Sequence, residues 1–115
     1  MKEGLKLIKK LYKFARLDIK VLNYMTEKGG FYKTTTLAKV LGNNLSAIQR
    51  SVKTLYDKGF LVREQENLIG GGYVFSYETF SRKIIVPMVR VKLETVYSQE
   101  YKTLLRFRRK VVGKK

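Results

Sequence analysis

Apolar residues recur along this chain at two periods, and the switches between those periods divide it into helices and strands. The clearest helical stripe is Ile48, Val52 and Leu55, at i, i+4 and i+7, the spacing that gathers side chains on one face of a helix. Asn44 stands where a cap would start that helix, and Gly59 where a left-handed turn would end it. The opposite face carries Ser46, Ala47, Gln49, Arg50, Lys53 and Thr54. These are short, amide and cationic side chains rather than the Glu/Lys mixture of a solvated face. The segment reads as a recognition helix.

Upstream, Leu5, Ile8, Leu11, Tyr12 and Ala15 alternate with Lys6, Lys9, Lys10 and Lys13, which predicts an amphipathic helix over 5–15. Basic amphipathic helices also lie on anionic membranes, but this apolar face is ordinary core material and points to packing on the domain or on a dimer partner. A second helix is expected over 17–27, with Val21, Leu22 and Met25 inward and Asp18 near its positive end; Gly29-Gly30 stops it. Phe31-Tyr32-Lys33 reads as a minimal strand. It leads into Thr34-Thr35-Thr36, where a threonine can cap a helix over Leu37–Leu41. Gly42-Asn43 then turns the chain into the helix from Asn44, giving a helix-turn-helix.

Beyond Gly59 the period changes to two. Residues 60–66 form a strand candidate, and Tyr73, Phe75 and Tyr77 share one face of a second. Between them Gly70, Gly71 and Gly72 relieve backbone restrictions at the tip of a hairpin. They are not a nucleotide-binding loop, because no strand–glycine–helix order and no Lys-Ser/Thr accompany them. From Ser81 the helical period returns with Val89, Leu93, Val96, Tyr97, Tyr101 and Leu104. Pro87 leaves two starts open: a helix from Ser81 with a kink, or an extended 82–86 with Pro87 at the first helical position. This stripe has little core left to cover in so small a domain and is expected to form a dimer; the alternative is that it folds back on its own chain.

Composition sharpens the functional side. A chain of 115 residues with 44% hydrophobic side chains is one globular domain. Its 25 Lys and Arg against 9 Asp and Glu give a formal charge of +16, which calls for a polyanionic partner. Nucleic acid comes first and an anionic membrane second. There is no cysteine and no histidine, so disulfides, Cys/His zinc sites and imidazole or thiolate catalysis are excluded. The acids are scattered among Lys and Arg, without the cluster a metal-dependent nuclease needs. No catalytic residue, metal or cofactor is expected. The apolar run Ile84–Val89 is too short to span a bilayer, and the expected location is the cytoplasm.

The segment Leu37 to Leu61 resembles the winged helix-turn-helix of the MarR and archaeal TrmB-like transcriptional regulators. Leu37-Ala38 and Leu41-Gly42 match the family's LA-x-x-LG turn, Ile48-Gln49-Arg50 its apolar-x-Arg at mid-helix, and Leu55 to Leu61 its L-x-x-KG-hydrophobic entry into the wing. The resemblance spans roughly residues 17–80 and implies the fold more strongly than the target. Two departures stand out. The wing tip, Leu68 to Gly72, lacks the Arg or Lys this family often carries there. Leu45 and Ala47 in the first turn of the helix suggest apolar contact with thymine methyls, so specificity rests on few side chains.

The expected architecture is α+β, a three-helix core plus a β-hairpin wing with flanking N- and C-terminal helices. Residues 1–80 would form the DNA-binding domain, 81–107 a dimerisation helix and 108–115 a basic tail. The expected function is that of a homodimeric, sequence-specific regulator on a palindromic duplex; the alternative is an RNA-binding or polymerase-associated winged helix. Gln49 and Arg50 would read base edges, though either could instead bind phosphate. Ser46, Lys53, Thr54, Thr34, Thr35 and Tyr32 would hold phosphates, with Asn44, Ala47, Gly70 and Gly71 also at the DNA. The dimer would use Val89, Leu93, Val96, Tyr97, Tyr101 and Leu104. The sequence specifies no effector.

Overall fold

The computed structural model describes residues 2–113, in the order α1 (Lys2–Tyr12), α2 (Arg16–Lys28), α3 (Thr34–Leu41), α4 (Leu45–Asp57), β1 (Leu61–Asn67), β2 (Tyr73–Thr79) and α5 (Arg82–Gly113). Helices α2, α3 and α4 make the central bundle, in which Val21, Leu22, Met25, Leu37, Ile48, Val52 and Leu55 are at most 1% exposed. The expected α+β winged helix-turn-helix is present. Strands β1 and β2 pair antiparallel from Leu61 opposite Thr79 to Asn67 opposite Tyr73. The short aromatic segment before α3 joins them: Tyr32 and Tyr77 exchange both backbone hydrogen bonds, each 2.8 Å.

Three helices end in the same way, and two of those endings supply the core. Lys13, Gly42 and Gly59 all have positive φ, of 57°, 66° and 87°. The next residue's N–H then reaches back five positions: Phe14 to the Lys9 carbonyl, Asn43 to Ala38 and Phe60 to Leu55. This left-handed closure satisfies terminal carbonyls and reverses the chain sharply. It drops Phe14 and Phe60 into the interior, 5% and 0% exposed, where their rings meet edge to face at 5.3 Å and Tyr12 lies 4.8 Å from Phe60.

The helix expected over 5–15 is therefore shorter at its end, because Lys13 breaks it so that Phe14 can turn inward. Ala15 instead starts α2, its N–H donating to the buried Asp18 carboxylate at 2.8 Å. No threonine caps α3. Lys33 occupies that position in extended conformation without a side-chain cap, held there by the Tyr32–Tyr77 pairing, and all three threonines enter the first turn.

The two starts left open for α5 resolve in favour of the earlier one. Ser81 accepts the Ile84 and Ile85 N–H groups at 3.0 Å, and the helix runs through Pro87. A proline there removes one backbone hydrogen bond, but Ile85 is buried before it and Met88 and Val89 pack on the core after it. Lys92 extends over the Tyr12 ring at 5.5 Å. Past that point α5, about 48 Å long at 1.5 Å per residue, projects from the domain, and the molecule measures 74 × 27 × 24 Å. The helix continues to Gly113, past the end expected at residue 107. Lys114 and Lys115 of the expected tail lie outside the described residues.

The core assignment predicts that Phe60→Ala lowers unfolding free energy by about 3–5 kcal/mol in urea titrations, whereas Val91→Ala on exposed α5 changes it by less than about 0.5. Comparable losses from the two would contradict this placement of the core.

Candidate nucleic-acid interface

Because Ile48, Ser51, Val52 and Leu55 are committed to the interior, the remaining positions of α4 are forced outward. Ser46, Gln49, Arg50 and Lys53 are exposed, and Ala47 and Thr54 are half-buried. Ser46, Gln49 and Lys53 fall at i, i+3 and i+7 along the crest of the helix. Asn44 caps its start, the side-chain oxygen accepting the N–H groups of Ser46 at 2.8 Å and Ala47 at 3.4 Å.

The turn between α3 and α4 is clamped from behind. The Lys20 ammonium donates to the Leu41 carbonyl at 3.0 Å and to the Asn43 side-chain oxygen at 2.8 Å. A cation at the carboxyl end of α3 meets the negative end of the helix dipole and ties the turn to α2. No local signal in the sequence marks Lys20, since its partners lie more than twenty residues away.

On the wing side, Thr34, Thr35 and Gln49 line one open groove with Lys33, Val74, Phe75 and Tyr77. The structure thus brings the start of α3, the crest of α4 and the wing to a common surface. Tyr32 does not line this groove; it is half-buried, its ring centroid 5.6 Å from that of Tyr24. Desolvation, and then Tyr24, raise its phenol above the ordinary value. Gly70 and Gly71 lie at the far tip of the hairpin with φ of 91° and 110°.

Several side chains on this surface already have partners. Lys53 pairs with Asp57 at 3.0 Å, an exposed i,i+4 contact of the kind worth only about 0.3–0.5 kcal/mol and easily exchanged for a phosphate. The Thr54 hydroxyl donates to the Arg50 carbonyl at 2.9 Å; to donate to a phosphate it must give up that bond. Lys33 lies 3.7 Å from Glu66, linking the start of α3 to β1.

Sequence reasoning passed over Lys33 and Arg63. The Arg63 guanidinium lies 4.1 Å from the Phe75 ring centroid and 4.5 Å from that of Tyr56, fastening the root of the wing to the end of α4. The strand alternation carries part of the signal, because Arg63 pairs with Tyr77 in the hairpin register. Lys33 adjoins the threonines chosen as phosphate contacts, and its charge was the available clue.

Along α5, Val89 packs against the core of its own domain and Val96 is half-buried, whereas Leu93, Tyr97, Tyr101 and Leu104 are 42%, 67%, 50% and 60% exposed. The expected stripe therefore splits into an inner edge and an uncovered outer face. Among the described residues, no helix is long and apolar enough to cross a membrane. Nor do three His, Cys, Asp or Glu side chains gather there in a way that could hold a metal ion.

No protein-family model matches the chain, and neither does any curated protein. Solved structures do. The chain is similar to a possible transcriptional regulator from Methanosarcina mazei Go1, with a TM-score of 0.81 and 29% identity over 88% of this chain and 85% of that one. ST1889 from the thermoacidophilic archaeon Sulfolobus tokodaii aligns with a TM-score of 0.70 and 19% identity, covering 86% of this chain and 96% of its own. The transcriptional regulator BldR from Sulfolobus solfataricus aligns with a TM-score of 0.50 and 21% identity, covering 99% and 84%. At the identities of these last two the agreement is one of fold. The expectation of a non-enzymatic regulator agrees with the M. mazei neighbour. The chain has the winged helix-turn-helix fold of transcriptional regulators.

Proposed function

We propose that the protein is a sequence-specific, double-stranded-DNA-binding transcriptional regulator that acts in the cytoplasm as a homodimer on a palindromic site. The observation that carries this reading is the outward crest of α4, where Ser46, Gln49, Arg50 and Lys53 stand exposed beside Thr34 and Thr35 on a chain of charge +16. A helix of this kind fits the major groove. In the proposed mechanism Gln49 and Arg50 meet base edges, suited respectively to adenine and guanine. Ser46, Lys53, Thr54, Thr34, Thr35 and Tyr32 hold phosphates on either side and set the register. Asn44 positions the first turn, which presents Ala47 to thymine methyls. Residues 1–80 form the DNA-binding unit and the outer face of α5 the dimer contact.

The dimer rests on a physical argument. Leaving large apolar side chains wet forfeits about 1.5–3 kcal/mol for each that could be buried. Leu93, Tyr97, Tyr101 and Leu104 are only partly covered within the described chain, and a two-fold copy of the same stripe is the simplest way to bury the rest. Two recognition helices so related would sit about 34–36 Å apart, one turn of DNA.

Two mutant pairs test the reading. Arg50→Ala should lower affinity by about 1–3 kcal/mol and relax preference at one base pair per half-site, while Lys53→Ala should weaken all sequences alike and reduce the salt slope by about one. Equal losses for Arg50→Ala on specific and random duplexes, measured by anisotropy across a salt series, would make Arg50 a phosphate contact.

Leu93→Glu combined with Leu104→Glu changes exposed positions and should give a folded monomer that binds weakly and loses preference for the full palindrome. Sedimentation of the unmodified chain as a monomer at micromolar concentration would remove the dimer from the proposal.

A further inference from the structure

The wing is electrostatically unlike the rest of the molecule. From Leu61 to Thr79 it carries Arg63 against Glu64, Glu66 and Glu78, and Arg63 is engaged between two rings. It has little to offer a phosphate. Yet β2 borders the same groove as Gln49, Thr34 and Thr35, so a duplex seated on α4 has the wing beside it. A wing that touches that duplex must do so through something other than charge.

Its tip supplies the alternative. Ile69 is 106% exposed, the most exposed large hydrophobic side chain among the described residues, and Leu68 beside it is 44% exposed. The tip is also closed by hydrogen bonds: the Leu68 N–H donates to the Gly72 carbonyl at 3.0 Å, and the Gly71 N–H to the Leu68 carbonyl at 3.2 Å. Within that turn Gly70 has φ 91°, the backbone a type II turn requires at its third residue. Ile69 is thus held out at the apex rather than collapsed on a strand. The glycines behind it have no Cβ, which lets the backbone approach a surface closely.

The length of the wing and its lack of charge near the tip point to a particular target. Tyr77, opposite Tyr32, marks the groove, and the strand from Tyr77 to Tyr73 rises about 14 Å at roughly 3.4 Å per residue before the turn begins. Half a turn of DNA, the axial step from a major groove to the next minor groove, is about 17 Å. No charged residue lies between Asn67 and Tyr77, and the nearest carboxylate, Glu66, is partnered by Lys33 at 3.7 Å. Apolar side chains in a minor groove act by entering between base pairs and kinking the helix.

We infer that Ile69, flanked by Leu68, is an apolar wedge that enters the minor groove beside the major groove occupied by α4 and bends the duplex. The inference rests on the DNA reading of α4 and adds to it a readout of DNA deformability, which favours flexible pyrimidine–purine steps where the wing lands.

The test uses the full chain and a duplex of about 30 base pairs carrying a site selected by the protein, with dyes at its ends to report bending by energy transfer. The unmodified protein should bend it by roughly 20–90°. Ile69→Ala, at a fully exposed position that cannot disturb the core, should bind about tenfold more weakly and leave the duplex straighter. It should not change the salt slope, because no charge is lost. Ile69→Leu should restore the bend. Binding and bending by Ile69→Ala indistinguishable from the unmodified protein would overturn the wedge while leaving the α4 reading intact, and would mark the tip as free or reserved for a protein partner. Failure of the unmodified protein to bind any duplex would instead overturn the α4 reading, and the wedge with it.

Discussion

Ile48, Val52 and Leu55 can be excluded from water together only if α4 lies with one side flat on α2 and α3, and much of the interface follows from that burial. A helix has a fixed angular spacing, so assigning its inner face assigns its outer one. Gln49, Arg50 and Lys53 are outside because their neighbours are inside. The same burial requires the chain to reverse at Gly59 and deliver Phe60 to the core, which sets the origin of the wing. Contact surface and wing thus share one cause.

Around this centre the charge is unevenly distributed along the chain. The wing is its acidic exception, with three carboxylates and one engaged arginine, and the small network of Lys33 with Glu66 and Arg63 with Phe75 and Tyr56 fixes it to the bundle. The cations at the wing root serve the fold, as does Lys20 at the turn between α3 and α4. α5 divides along its length in a comparable way. Its first turns are core material, held through Pro87 by Ile85, Met88 and Val89, and its remainder is a protruding rod with an apolar face.

What was legible in the sequence was whatever depends on period. The α4 stripe, its Asn44 cap, the minimal strand at Tyr32 and the shared face of Tyr73, Phe75 and Tyr77 all appear as local patterns and all recur in the structure. What depends on tertiary contact was not. Lys13 takes a positive φ although it is not glycine, because burying Phe14 outweighs the local strain; nothing in its immediate sequence announces this. The start of α3 at Thr34 is set by a bridge to Tyr77, far along the chain. The Lys20 clamp and the stacking of Arg63 likewise join residues whose proximity exists only after folding. Pro87 was ambiguous for the same reason, since neighbouring burial, not propensity, decides whether a helix survives a proline.

The central claim is that the outer face of α4 reads duplex DNA. Selection of bound duplexes from a random pool, at a stated salt concentration, tests it most directly. An inverted repeat whose half-sites are centred about one helical turn apart should be enriched. Recovery of no preferred duplex, or stronger retention of structured RNA over every DNA in the pool, would contradict it.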